Sequence, residues 1–176
     1  MMKKISLVKC FSIFSISLSC QVFCQVALGK ASVSNSSVSL EFADTEPKGL
    51  ILPWVTSTTD VTGAVNGTLV FDTSDKKAKV KLVSGWKDLS LETNGAVNTS
   101  LQDPITENSK AKVTVGTPSS TPGILVLEDS SKAMILPKVV NPHLNIINPS
   151  PGMMVYDTVS KLLCFFNGSV WTFWKY

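Results

Sequence analysis

Lys132-Ala133-Met134-Ile135-Leu136-Pro137-Lys138-Val139, followed by Gly152-Met153-Met154-Val155-Tyr156-Asp157-Thr158, decides how this chain is read. The same order stands earlier as Lys48-Gly49-Leu50-Ile51-Leu52-Pro53-Trp54-Val55 and Gly67-Thr68-Leu69-Val70-Phe71-Asp72-Thr73, with Trp86 matching Trp171. The first block recurs at an offset of 84 and the second at 85, so the chain holds two copies of one pattern. Upstream, Val26-Ala27-Leu28-Gly29 corresponds to Val113-Thr114-Val115-Gly116, and Val38–Phe42 to Ile124–Glu128.

Within each copy the apolar residues alternate with period two in short runs bounded by Gly, Pro, Asn and Asp, which is the pattern of strands. The second copy predicts strands at Met153–Thr158, Leu162–Phe166 and Val170–Trp174, with Asn167-Gly168 reversing the chain because both residues tolerate positive φ. The first predicts Leu69–Thr73, Ala78–Val83 and Trp86–Leu89. Between each Leu-Pro strand and its meander, Thr58-Thr59-Asp60 and Asn141-Pro142 are plausible helical starts. The fold class expected is all-β: two tandem small antiparallel β-meander repeats after an N-terminal signal helix. The divisions are 1–24 signal peptide, 25–90 first repeat, 91–111 polar linker and 112–176 second repeat.

The leader is read from Met1-Met2-Lys3-Lys4, a positive start, and from the apolar stretch Cys10–Ser19, which is too short to span a bilayer. Cleavage is expected near Cys24/Gln25, giving a secreted or bacterial cell-surface protein with no membrane span in the mature chain. Cys20 or Cys24 would be the attachment point were it an outer-membrane lipoprotein. Removing the leader takes Cys10, Cys20 and Cys24 away and leaves Cys164, so no intrachain disulfide can form. Repeats of about 60 residues without a disulfide or metal are marginal alone, so the copies must pack together or associate with other chains.

Charge removes one class of function. All 16 basic residues are Lys, and residues 25–176 balance 13 Lys against 13 acidic groups. Without Arg and without net positive charge, nucleic-acid recognition is not expected. Enzymatic chemistry is not expected either. The one His, His143, follows Pro142 in an Asn-Pro turn with no Gly-x-Ser-x-Gly partner, and Cys164 sits in the apolar run Leu162–Phe166 as a small hydrophobe. One His and one Cys cannot make a zinc site, no cofactor fingerprint is present, and Asp72 and Asp157 end strands where an aspartate caps its own turn.

The candidate interaction residues are therefore aromatic: Trp54, Trp86, Trp171, Phe173 and Trp174. Period-two spacing places Trp171 and Phe173 on one face of the last strand and Trp174 on the other. Core or subunit contact is the reading preferred for them. The alternative is a carbohydrate-binding module that stacks a surface glycan on Trp54, Trp171 and Trp174.

The ordered set Val-Thr-Val-Gly-Thr, Lys-Ala-Met-Ile-Leu-Pro-Lys-Val, Asn-Pro, Pro-Gly-Met-Met-Val-Tyr-Asp-Thr and Asn-Gly-Ser-Val-Trp resembles repeats of phage tail-fibre proteins. It is also similar to secreted surface proteins of Bacteroidetes-type bacteria. The resemblance covers nearly all of 26–90 and 112–174. It implies a β-rich structural or adhesive module in an elongated homo-oligomer, often a trimer. The Pro-Arg pair usual in such repeats is Pro53-Trp54 and Pro137-Lys138 in this chain.

Overall fold

The computed structural model describes residues 25–106, 108 and 110–175. The expected signal segment, 1–24, lies outside them. Fourteen short strands and almost no helix make up the described chain. Its first repeat holds β1 (Val26–Leu28), β2 (Val38–Phe42), β3 (Leu50–Ile51), β4 (Trp54–Val55), β5 (Leu69–Asp72), β6 (Lys77–Leu82) and β7 (Gly85–Asp88). The second holds β8 (Val113–Thr114), β9 (Leu125–Val126), β10 (Ala133–Ile135), β11 (Lys138–Val139), β12 (Met153–Asp157), β13 (Leu162–Phe166) and β14 (Trp171–Trp174). The two expected helical starts form a 3-10 turn at Thr58–Asp60 and a single helical turn, α1, at Pro142–Asn145.

The meanders are as the alternation predicts. β5, β6 and β7 pair antiparallel in sequence, as do β12, β13 and β14, in equivalent registers: Lys81 opposes Trp86 and Phe166 opposes Trp171. The tight turns between the first two strands of each meander rest on Lys76 and Lys161, equivalent residues at φ 61° and 60°. These are left-handed positions that a Lys occupies only against its own preference. The Asn167-Gly168 reversal differs in detail from the expectation. Gly168 takes positive φ (98°), but Asn167 instead accepts hydrogen bonds from the Ser169 and Val170 N–H groups through Oδ1, which widens the loop.

Parallel pairing is the feature that alternation could not supply. β4 lies parallel to β5 and β11 parallel to β12, with Trp54 opposite Phe71 and Lys138 opposite Tyr156. β8 and β9 form a parallel pair, and β1, β2 and β10 an all-parallel sheet. Each β4-type strand returns beside its β5-type strand over a loop that the buried aspartate ties down. Asp72 accepts from the Thr58 N–H (3.1 Å) and Asp157 from the Asn141 N–H (3.1 Å), so each aspartate holds the helical turn as well as its own hairpin.

Neither repeat owns a complete core. Leu52, Phe71, Ala78 and Leu89 from the first bury together with Met154 and Phe165 from the second. A smaller cluster, Val139, Ile146, Val155 and Cys164, belongs to the second repeat alone. The segment between the repeats is not detached from them: Val97 packs on the shared core, and the Asn167 Nδ2 donates to the Glu92 carbonyl (3.3 Å).

Candidate functional site

The most elaborated surface is the one where the repeats meet. Two strands of the first repeat are laid onto two of the second. β2 runs parallel to β10, with Leu40 opposite Met134 and Glu41 opposite Ile135. β3 runs antiparallel to β12, with Leu50 opposite Met154 and Ile51 opposite Met153, and the Leu52 N–H extends that ladder to the Gly152 carbonyl (3.0 Å).

Trp54 closes the junction. Its indole Nε1–H donates to the Pro151 carbonyl at 2.9 Å, and its ring lies tilted beside Phe71, centroids 6.3 Å apart. Gly152 is required there. At φ 78°, a Cβ on this residue would sit 3.0 Å from the Phe71 ring and from the Trp54 nitrogen. A side chain would therefore meet both backbone strain and overlap.

The remaining aromatic residues divide between packing positions. Trp174, half-buried, leans on the shared core, and Lys87 of the first repeat lies 5.9 Å from its ring. Trp171 packs on Phe166 at 5.3 Å, and Trp86 takes the equivalent place with Lys81 above it at 5.9 Å. Phe173 covers the smaller cluster and meets His143 edge-on at 5.5 Å. Trp54 and Trp174 thus share one cluster, Trp171 and Phe173 the other, and Trp86 stands apart from both.

Three buried carboxylates are held ionised. Glu41 on β2 accepts from Lys30 Nζ (2.7 Å) and from the Ser34 N–H (2.6 Å), which bring its carboxyl down to about 2. For Asp72, burial works against ionisation. Hydrogen bonds from the Ser74 hydroxyl, from Lys79 and from the Thr58 N–H outweigh it and hold the group at about 2. Asp157 is lowered in the same way, burial being outweighed by Ser160, Val159 and Asn141. Cys164 moves in the opposite direction: burial, reinforced by the Asp157 charge, pushes its thiol up to about 12. A thiol that stays protonated at neutral pH is a packing group and not a nucleophile.

Sequence reasoning did not identify Gly152, Pro151 or the strands β2, β3, β10 and β12 as the contact between repeats. The recurrence of Gly67 and Gly152 before the two meanders was the one available signal. Among the described residues, no helix is long and apolar enough to cross a membrane.

Residues 113–175, the second repeat from β8 to β14, match a family model described as a phage tail like trimerisation region. No curated protein and no solved structure matches the chain. The matched segment is thus tail-fibre-like, and the family it matches is structural.

Proposed function

We propose that this chain is an exported, non-enzymatic structural protein that assembles as a homotrimer through its tail-fibre-like repeats and serves as a surface or adhesive element of the bacterial cell. The observation that carries the reading is the match of the whole second repeat to a trimerisation region. The core supports it: two repeats that cannot each bury their own apolar face are built to associate. Export rests on the leader-like first 24 residues, and the Bacteroidetes-type setting on the ordered repeat motifs. A glycan partner would need indoles on display, whereas the Trp54 N–H is bound to Pro151 and Trp174 is packed on the core.

Light scattering coupled to size exclusion tests the reading directly. The expected mass is three times that of one chain. A monomer across the micromolar range would overturn it.

A further inference from the structure

The contact between the two repeats follows one rule. The first repeat lays β2 parallel on β10 and β3 antiparallel on β12 of the second. By the repeat equivalence, β9 is the counterpart of β2, β10 of β3, and β12 of β5. β3 and β10 are therefore one type of strand, seen with a different neighbour in each repeat.

Those two neighbours take opposite edges of the strand. The Ala133 N–H donates to the Ser37 carbonyl (2.9 Å), so by alternation Met134 turns its own N–H and C=O away from β2, to the far edge of β10. Leu50 is the residue equivalent to Met134, and it faces Met154 of β12. Such a strand accommodates a β2-type strand on one side and a β5-type strand on the other. Among the described residues each side is filled once: β10 holds β2 alone, and β3 holds β12 alone.

The strands that would fill the vacant sides are themselves open. β5 is paired with β4 only at Phe71 and Asp72. The Phe71 N–H donates to the Pro53 carbonyl (2.8 Å), so Leu69, two residues earlier, turns the same way beyond the end of β4. In the second repeat the equivalent edge, at Met154, holds Leu50. β9 pairs with β8 alone, and its Ile124 and Leu125 are 57% and 43% exposed, whereas Val38, Ser39 and Leu40 of β2, covered by β10, are buried. Ile51, on the vacant β3, is 46% exposed.

The open strands of the second repeat, β9 and β10, are the pair that the first repeat contributes. Those of the first, β3 and β5, are the pair that the second repeat receives on. Resting on the trimeric reading above, we infer that chains join head to tail by the contact already present within each one: β9 of one copy lies parallel on β3 of the next, and β10 lies antiparallel on the Leu69 edge of its β5. Every pairing inside the chain is kept, and the shared core stays intact. A heterologous contact of this kind repeats until it closes, and three chains close it as one ring of six repeats. The occupant of each open edge is a second copy of this chain.

Paired cysteines read both contacts. The Leu52–Gly152 hydrogen bond makes Ile51 and Met153 a non-hydrogen-bonded pair, the closer type in an antiparallel ladder and within reach of a disulfide. The counterpart between copies is Ile135 with Thr68 of the next. Full-length Ile51→Cys/Met153→Cys and Ile135→Cys/Thr68→Cys are oxidised beside the parent chain, which gives the background of its own thiols, and run on non-reducing gels alongside a light-scattering mass. The first is expected to close within one chain and the second to give a covalent trimer. Should the second variant not fold, Ile124→Asp/Leu125→Asp decides: both side chains face water in the single chain, so the fold should survive and the mass should fall threefold. A trimeric mass in which Ile135→Cys/Thr68→Cys closes within one chain or forms no bridge, or in which Ile124→Asp/Leu125→Asp stays trimeric, refutes the head-to-tail contact while the trimer stands. A covalent ladder running past three chains overturns the trimer and keeps the contact. A monomeric parent overturns both.

Discussion

Replacing Asp72 and Asp157 by Asn separates two sites that sequence alone reads as the same. Both carboxylates are about 1% exposed and end equivalent strands. At Asp157, a single oxygen, Oδ1, accepts both backbone donors, Asn141 N–H and Val159 N–H, while Oδ2 accepts only the Ser160 hydroxyl. An Asn keeps the first oxygen, and its NH2 can donate to the same hydroxyl, which accepts as readily as it donates. At Asp72, Oδ1 takes the Ser74 N–H and hydroxyl, but Oδ2 takes the Thr58 N–H and the Lys79 ammonium. An Asn there turns its NH2 either toward the Thr58 N–H and the Lys79 ammonium or toward the Ser74 N–H, so at least one donor is left unsatisfied in either orientation, and the charge that Lys79 pairs with is lost. Each buried donor left unsatisfied costs about 1–3 kcal/mol, so Asp72→Asn should destabilise by about 1–3 kcal/mol and Asp157→Asn, which leaves no donor unsatisfied, by less than about 1. Urea unfolding followed by Trp fluorescence, at one chain concentration because association shifts the midpoint, measures both. The pH profile supplies a second check. A carboxylate whose folded pKa is depressed adds stability above its unfolded value, 3.8 for Asp72, and loses it as pH falls toward about 2. The parent should therefore weaken between about pH 4 and 2, and Asp72→Asn should lack part of that loss. Equal destabilisation by the two substitutions would refute the assignment of oxygens.

Gly152→Ala should cost about 2–4 kcal/mol, combining a left-handed non-glycine residue with overlap on Phe71 and Trp54; a change under 0.5 kcal/mol in the same urea assay would show that the junction between repeats is not packed as described. The Cys164 thiol, fully buried, should react with a thiol reagent only as fast as the protein opens, so its labelling rate should follow denaturant; labelling at the free-thiol rate in water would place it at the surface.

The meanders were legible because their signals are local. Period-two alternation, Asn167-Gly168 and the Asp72 and Asp157 turns act over a few residues, and the three strands of each copy appear within one or two residues of their expected ends. Pairing of β4 with β5 and of β11 with β12 was not legible, because alternation gives a strand's face and not its neighbour. What sets it is the second hydrogen bond of each aspartate, to Thr58 or Asn141, residues that sequence marked only as helix starts. The linker shows the same limit. Its polar composition marks a loop, yet Gly95 is small enough to lie directly against Asn167, and Gly168 against Ala96, so size and not polarity decides that the segment is bound. Along β14, Trp171 and Phe173 pack on one cluster and Trp174 on the other, which period-two alternation expects, but that the cluster under Trp174 is shared with the first repeat was not legible.

Equivalent positions on one face of the two meanders carry different chemistries. Lys79 opposes Asp88 in the first repeat, where Cys164 opposes Phe173 in the second. Around Lys79 the first repeat builds an ionic cluster, bonded to Asp72 at 3.0 Å and Asp75 at 2.5 Å, with Lys77 on Asp88 at 2.7 Å. Around Cys164 the second builds an apolar cluster with Val139, Ile146 and Val155. Because the faces differ while the strand edges match, backbone pairing alone would let either repeat join either. Side chains must then supply the preference for one register over the other.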